Sequence, residues 1–247
     1  MRLEEYELMY KIESTYWWFL GKRWLMMKLL RERLGGRQDA VILDVGCGTG
    51  RNLEALSELG DTRGCDISSE ALDFCRRRGL SNLTLQVDPH SLPFDSGTFD
   101  LVTALDVIEH VDDDLRMLAE IARVLKPSGL ALLTVPAHPR LWTVHDEALQ
   151  HRRRYARGPL RQKVEAAGLR VDLLSGMNGL LLPVMIPVRF LRHGLVGRKE
   201  ATSDPHLQLP AFLDHLFLAV FKSEWPAVRM GLLPFGLSFI VLACRRE

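Results

Sequence analysis

The sequence predicts one doubly wound α/β domain, a mostly parallel sheet with helices on both faces. Two observations carry that expectation. A short β-branched run, VILDVG, feeds into the glycines of GCGTG and then into the helical pattern RNLEALSELG, which reads as strand, glycine turn and helix. The same alternation then repeats along the chain, and strands alternating with helices of this length imply right-handed crossovers within a parallel sheet. The chain has 247 residues, 47% hydrophobic and 26% charged, which is enough to bury a sizeable core.

The elements follow in order. The first thirty or so residues read as helical, with Trp17, Leu20, Trp24 and Met27 at three-to-four-residue spacing and Gly35-Gly36 as a stop. After the glycine loop, Leu53, Leu56 and Leu59 share a helical face that ends at Gly60, a position suited to a left-handed cap. TRGCDI is the second strand, and SSEALDFCRRRG the second helix of the repeat, with Ser68 as N-cap and Gly79 as stop. LTLQVD, FDLVTALDV and GLALLTVP are further strands. Between the last two, DDDLRMLAEIARVLKPSG places Leu115, Leu118, Ala122 and Leu125 on one helix face, with acids at its start and Lys126-Pro127 at its end. GPLRQKVEAAGL reads as a helix, LRVDLL as a strand, and LPFGLSFIVLACRRE as a final strand joining the same sheet.

Composition excludes some classes of function. A formal net charge of +1 argues against a general polyanion binder, so no nucleic-acid partner is expected. Cys47, Cys65, Cys75 and Cys244 form no C-x-x-C pair and read as reduced thiols of a cytoplasmic protein. The start, MRLEEYEL, is acidic where a signal peptide is basic. The longest apolar stretch, GLLLPVMIPVRFL, is too short to span a membrane and is interrupted by Pro183, Pro187 and Arg189.

Ligands of open α/β sheets bind at the carboxyl ends of the strands, where GCGTG lies. Gly46, Gly48 and Gly50 allow a tight turn and close approach of a ligand. The dinucleotide fingerprint is broken, because Arg51 stands where its third glycine belongs. Asp66, at the end of the second strand, is placed to accept hydrogen bonds from both hydroxyls of a ribose.

DVGCGTG, CDIS, VDPHSLPF, FDLVTALDVIEHV and LKPSGLALLTVP, in that order from Val41 to Pro136, resemble a class I S-adenosylmethionine-dependent methyltransferase of the type 11/12 group. The resemblance implies a seven-stranded sheet whose last strand is antiparallel. It implies S-adenosylmethionine as cofactor and S-adenosylhomocysteine as product. Asp44, Gly46, Cys47 and Gly48 would surround the methionine part, Asp66 the ribose and Ile67 the adenine. Asp88 would receive the adenine amino group, and Leu105 and Asp106 would flank the sulfonium. Pro89, where the family more often has a small residue, leaves the contacts of neighbouring His90 open.

Methyl transfer from a sulfonium mainly requires that nucleophile and methyl be held collinear and dry. An oxygen nucleophile profits from a base, and His110, His145 and His151 are the candidates, His145 first because Asp146 adjoins it. Asp106, Glu109 and His110 form D-x-x-E-H, resembling a cluster that holds magnesium in the O-methyltransferases of ubiquinone synthesis. A helix-starting turn explains the same residues, and no metal is expected.

STYWWFLGKRW and H-D-E-x-x-x-H-x-R-R-Y together resemble a subset of bacterial class I methyltransferases with N-terminal capping helices. Residues 1–36 are therefore expected to form a helical lid containing Tyr16, Trp17, Trp18 and Arg23. Residues 37–247 are expected to form the cofactor-binding domain, with 173–230 an apolar helical insertion on the substrate side. The stretch HDEALQHRRRY follows the fifth strand, and its Arg153, Arg154 and Tyr155 are expected to bind an acidic group of the acceptor or to pin the lid. The acceptor is expected to be a small molecule, of hydrophobic or lipid-linked character, with peripheral membrane contact compatible with it. The alternatives are a non-catalytic S-adenosylmethionine binder and a cofactor-assisted isomerase or cyclase.

Overall fold

The computed structural model describes residues 3–187 and 210–246. Residues 188–209, in the middle of the expected insertion, lie outside the described residues. A seven-stranded sheet runs in the order β3-β2-β1-β4-β5-β7-β6. Its strands are β1 (Ala40–Val45), β2 (Gly60–Asp66), β3 (Leu83–Leu85), β4 (Phe99–Leu105), β5 (Leu125–Pro136), β6 (Leu169–Met177) and β7 (Ser238–Arg245). β7 is antiparallel to both β5 and β6, and the other pairings are parallel. Strand order reverses between β1 and β4, which opens a crevice at their carboxyl ends.

The central strands β1, β4 and β7 and the second half of β5 are largely apolar because both faces of the sheet are covered there. Adjacent side chains point to opposite faces. Leu43, Val102, Leu133 and Val241 meet Leu118 and Ile121 of α5 (Asp114–Val124) and Leu160 and Val164 of α7 (Arg157–Ala166). Their neighbours Ile42, Leu101, Leu132 and Ile240 share the other cluster with Leu25 and Leu29 of α2 (Trp17–Arg33), Phe221 of α9 (Ala211–Ser223) and Val228 of α10 (Trp225–Arg229). α1 (Leu3–Ile12), α3 (Arg51–Leu56), α4 (Ser69–Arg77), α6 (Val144–Ala148) and a helical segment α8 over residues 182–187 complete the described helices. None of them is long and apolar enough to cross a membrane.

Five local expectations are corrected. The N-terminal helix is two helices, broken at residues 13–16, where Glu13 is drawn into the core. α2 is buried along Trp17, Gly21, Leu25 and Leu29, with Leu20 and Trp24 only half-buried, because Gly21 lets Phe221 of α9 approach. α5 stops at Val124, Leu115 is exposed, and Lys126-Pro127 already belongs to β5, where Lys126 pairs with Asp100 at 2.7 Å. LTLQVD pairs only over Leu83–Leu85, since the Gln86 side chain turns inward to donate to the carbonyls of Asp88 and Ser91.

Gly60 is the fifth. It is no left-handed cap; its φ of 154° carries the chain straight into β2, and a Cβ there would lie 2.0 Å from the Ala40 carbonyl oxygen. Gly60→Ala is expected to destabilise the fold by about 1–3 kcal/mol through backbone displacement. A fall in the urea midpoint at unchanged slope is the signature, and an unmoved midpoint contradicts it. The cap expected at Ser68 does form, its side chain accepting from the Ala71 N–H, and Gly79 stops α4 with φ 82°.

Candidate active site

The loop between β1 and α3 turns through Gly46, Gly48 and Gly50, at φ 64°, 54° and 86°. A Cβ on Gly46 would collide with Val107 at 2.6 Å, whereas nothing lies within 4 Å of one on Gly48. The loop is thus packed on one side and open on the other. Asp66 reaches across from β2: one carboxylate oxygen accepts the Gly48 N–H at 2.9 Å and the other the Ser68 N–H at 3.0 Å. Burial raises its pKa against the opposing pull of these two bonds. Asp44 is buried beneath the loop, accepts from Thr103 Oγ1 at 2.6 Å, and is pushed up to about 7, chiefly by burial. Cys47 is buried with its sulfur 3.8 Å from that of Cys75, and all four cysteines are free thiols.

Beyond β2 and β3 the expected adenine side contains Ile67 and Val87, apolar side chains left 62% and 89% exposed. Pro89 is exposed, and Asp88 is half-exposed and accepts the His90 N–H at 2.8 Å. The His90 ring accepts from the Asp113 N–H at 3.3 Å, so it straps this loop to the start of α5.

The N-terminal helices touch both ends of the groove. Tyr6 of α1 is buried close to Asp66, and burial, with that carboxylate, pushes its pKa up to about 12. Lys22 of α2 forms an ion pair with Asp106, at φ 58° just after β4, whose other oxygen accepts from Thr134 Oγ1 at 2.9 Å. Burial favours the neutral acid, but Lys22 and Thr134 outweigh it and hold the Asp106 pKa below its ordinary value. Between these contacts Glu13 accepts from Thr49 Oγ1 at 2.6 Å and pairs with Arg78, and Arg23 donates to the Glu13 carbonyl at 2.5 Å. Trp17 is core, edge-on to Trp18 and Phe217, while Tyr16 and Trp18 are half-buried. Leu105 lines a small cavity with Lys22, Arg23, Met26, Thr134 and Met177. Tyr6, Glu13, Thr49 and Arg78 were not legible as site residues, and Thr49 alone carried a signal, its place inside GCGTG.

The loops after β4 and β5 bring His110 and His151 together, with ring centroids 4.9 Å apart. Asp146 serves His151, not its sequence neighbour His145: its carboxylate meets His151 Nδ1 at 2.9 Å, Arg154 Nε at 2.7 Å and the Thr143 N–H at 2.9 Å. His145 is half-buried, its ring 6.3 Å from that of His151. Burial opposes the charge on Asp146, yet His151 and Arg154 hold its pKa far below the carboxylate range. His110 is pushed down to about 4, mainly by burial and then by His151. Glu109 is fully buried, neither of its oxygens accepts a hydrogen bond, and burial followed by the charge of Asp106 raises its pKa well above the ordinary value.

The arginine run is corrected as well. Arg154 is buried against Asp146 and the Ala137 carbonyl, Arg153 pairs with Asp114 at 3.1 Å, and Tyr155 donates to Asp114 at 2.9 Å. These residues pin the loop to the body of the sheet and α5 instead of facing an acceptor or the lid.

The profile of a family described as methyltransferase domain matches residues 43–133. The fold also superposes on the methyltransferase solved with the Trm112 activator of Haloferax volcanii, with a TM-score of 0.59 and 19% identity over 91% of this chain and 90% of that one. Residues 43–133 thus match a methyltransferase domain, and the chain shares the fold of these methyltransferases. It is 31% identical over 112 residues to the ubiquinone biosynthesis O-methyltransferase of Bordetella avium, covering 42% of this chain and 46% of that protein. It is 32% identical over 122 residues to a tRNA (carboxymethyluridine(34)-5-O)-methyltransferase of Mus musculus, covering 48% and 17%. The chain spans about half or less of the length of the first curated relatives it matches. The profile match takes in Asp44, Asp66, Asp106, Glu109 and His110 but leaves Lys22, Asp146 and His151 outside.

Proposed function

We propose that the protein transfers the methyl group of S-adenosylmethionine to a small-molecule acceptor, activated at the cluster formed by Glu109, His110 and His151. The observation that carries this reading is the meeting of two unlike half-sites at one sheet edge. One is a glycine loop tied to an acid at the end of β2, the other a pair of histidines from the loops after β4 and β5. Asp44 takes the ammonium of the methionine part, Asp66 the ribose and Ile67 a face of the adenine. Asp88 is left for the adenine amino group, and Leu105 and Asp106 lie at the sulfonium. In the reaction the S–CH3 bond breaks with its electron pair returning to sulfur, a bond forms to the acceptor's nucleophile, and its proton leaves on the histidine side. Charge disappears from sulfur, so orientation and exclusion of water carry most of the work.

The acceptor is hydrophobic or lipid-linked. Supporting this, Leu180, Val184, Phe212 and Leu216 are exposed around the apolar insertion, and Met177 lines the cavity beside Lys22. The setting is cytoplasmic, in keeping with four free cysteines, and a near-neutral chain disfavours a nucleic-acid acceptor. The test is incubation with methyl-labelled S-adenosylmethionine and an extract of the source cells. A labelled product together with S-adenosylhomocysteine supports the reading. Binding without either, or rearranged acceptor without demethylated cofactor, overturns it.

Cofactor affinity is expected to rise with pH through about 7, as Asp44 ionises and meets the ammonium. The sign for the chain alone is opposite. Between the unfolded carboxyl's pKa of about 3.9 and that of the fold, the folded chain holds the extra proton and loses stability as pH rises. Calorimetry across this range is the check, and an unchanged slope in Asp44→Asn contradicts the assignment.

A further inference from the structure

The Glu109 carboxylate is an unusual object: fully buried, at the mouth of the site, with neither oxygen accepting a hydrogen bond. A buried charge without partners costs several kcal/mol, roughly, unless a cation or a proton meets it. The atom facing it is His151 Nε2, 4.0 Å away, and one ligand atom each from Glu109, His110 and His151 lie within 4.8 Å of one another. Ligands around one divalent ion at about 2.1 Å stand roughly 3–3.5 Å apart, so a shift of little more than an ångström closes the set.

The outer partners decide which atoms are offered. His151 Nδ1 is held by Asp146, itself fixed by Arg154 and the Thr143 N–H, which leaves Nε2 toward Glu109. His110 Nδ1 lies 3.3 Å from the Gln150 carbonyl, which leaves its Nε2. A metal-binding histidine ordinarily has its second nitrogen engaged in this way. Asp106, by contrast, is already engaged by Lys22 and Thr134.

We propose that Glu109, His110 and His151 form a divalent-cation site at the acceptor end of the groove. Two imidazoles and one carboxylate select a borderline ion such as zinc, manganese or iron(II) over calcium or magnesium, which take oxygen ligands. Three protein ligands leave positions open, as catalytic sites do, and the ion supplies charge that draws in an oxygen nucleophile and favours its deprotonation. The acceptor class that follows is a hydroxylated molecule. This inference rests on the methyl-transfer reading only for the role of the site, and its existence is tested separately.

Full-length protein freed of metal with a chelator is titrated with cobalt(II), followed by visible absorption, and with zinc, followed by calorimetry. One ion per chain is expected. Glu109→Gln and His151→Asn should each weaken binding at least about tenfold, and Asp146→Asn by about 10–100-fold, because it orients a ligand. Asp106→Asn should bind as the parent does. Circular dichroism establishes that each variant is folded, and the near-isosteric Glu109→Gln keeps the test valid if a histidine variant fails. Absence of uptake by folded parent protein, or unchanged affinity in Glu109→Gln, overturns the site. Calorimetry with S-adenosylmethionine on the same metal-free samples separates the two ideas, since intact cofactor binding without metal uptake removes the cation alone.

Discussion

Asp146→Ala is expected to cost about 3–5 kcal/mol of folding stability, the largest loss from any single substitution considered for this chain. Asp146 and Arg154 are an ion pair with 0% and 1% of their side chains exposed, joined at 2.7 Å. Removing the carboxylate takes away the charge that meets the buried guanidinium at 2.7 Å, so the desolvation of Arg154 is less well offset. It also releases His151 and the Thr143 N–H, the latter one half of the capping box that starts α6. Replacing both charges, as in Asp146→Ala with Arg154→Met, should recover part of the loss, because the guanidinium then no longer has to be desolvated without that carboxylate. The pH sign follows from the depressed pKa of Asp146. Its contribution is fully present above the unfolded carboxyl's pKa of about 3.9, and it is lost only as pH falls toward the lower folded value. The difference between parent and Asp146→Ala should therefore narrow in strong acid. Urea titrations giving a loss below about 1 kcal/mol, or a difference that does not depend on pH in acid, contradict the pairing.

What the sequence revealed and what it hid divide along a physical line. The glycine loop, the end of β2 at Asp66 and the Ser68 cap were legible because each depends on a few adjacent residues or on a repeated period, whereas the antiparallel last strand followed from the family resemblance. The burial of Glu13 was not, since its partners Thr49 and Arg78 come from the glycine loop and the end of α4. HDEALQHRRRY is the sharpest case. Adjacency suggested that Asp146 serves His145, but successive residues on a helix point about 100° apart and do not face each other. Asp146 instead meets His151 once the chain has left α6 and turned back. The arginines looked like ligands for an acid because three lay in a row, yet Tyr155 bridges Ala137 beside β5 and draws Arg154 beneath the loop. His110 and His151 are far apart in the chain, and only the crossover from β4 to β5 brings their loops to one edge.

His151→Asn is expected to lower turnover by about 10²–10⁴-fold while leaving S-adenosylmethionine affinity nearly unchanged. The division follows from position. Cofactor contacts are expected at Asp44, Gly48 and Asp66, whereas His151 stands with Glu109 and His110 on the acceptor side. His145→Ala, the stronger candidate from sequence adjacency, should have the smaller effect, because the carboxylate that would orient its ring is committed to His151 and Arg154. Asp146→Asn supplies the intermediate case. It keeps the size of the side chain and one hydrogen bond to His151 but removes the charge, so its loss of turnover should fall between those of the two histidine variants. Single-turnover rates with saturating cofactor separate this ordering from a plain loss of folded protein, which lowers amplitude and leaves the rate constant alone. If His145→Ala slows the step more than His151→Asn, the acceptor is activated from the other face of α6, and the pairing with Asp146 is then structural support for the loop.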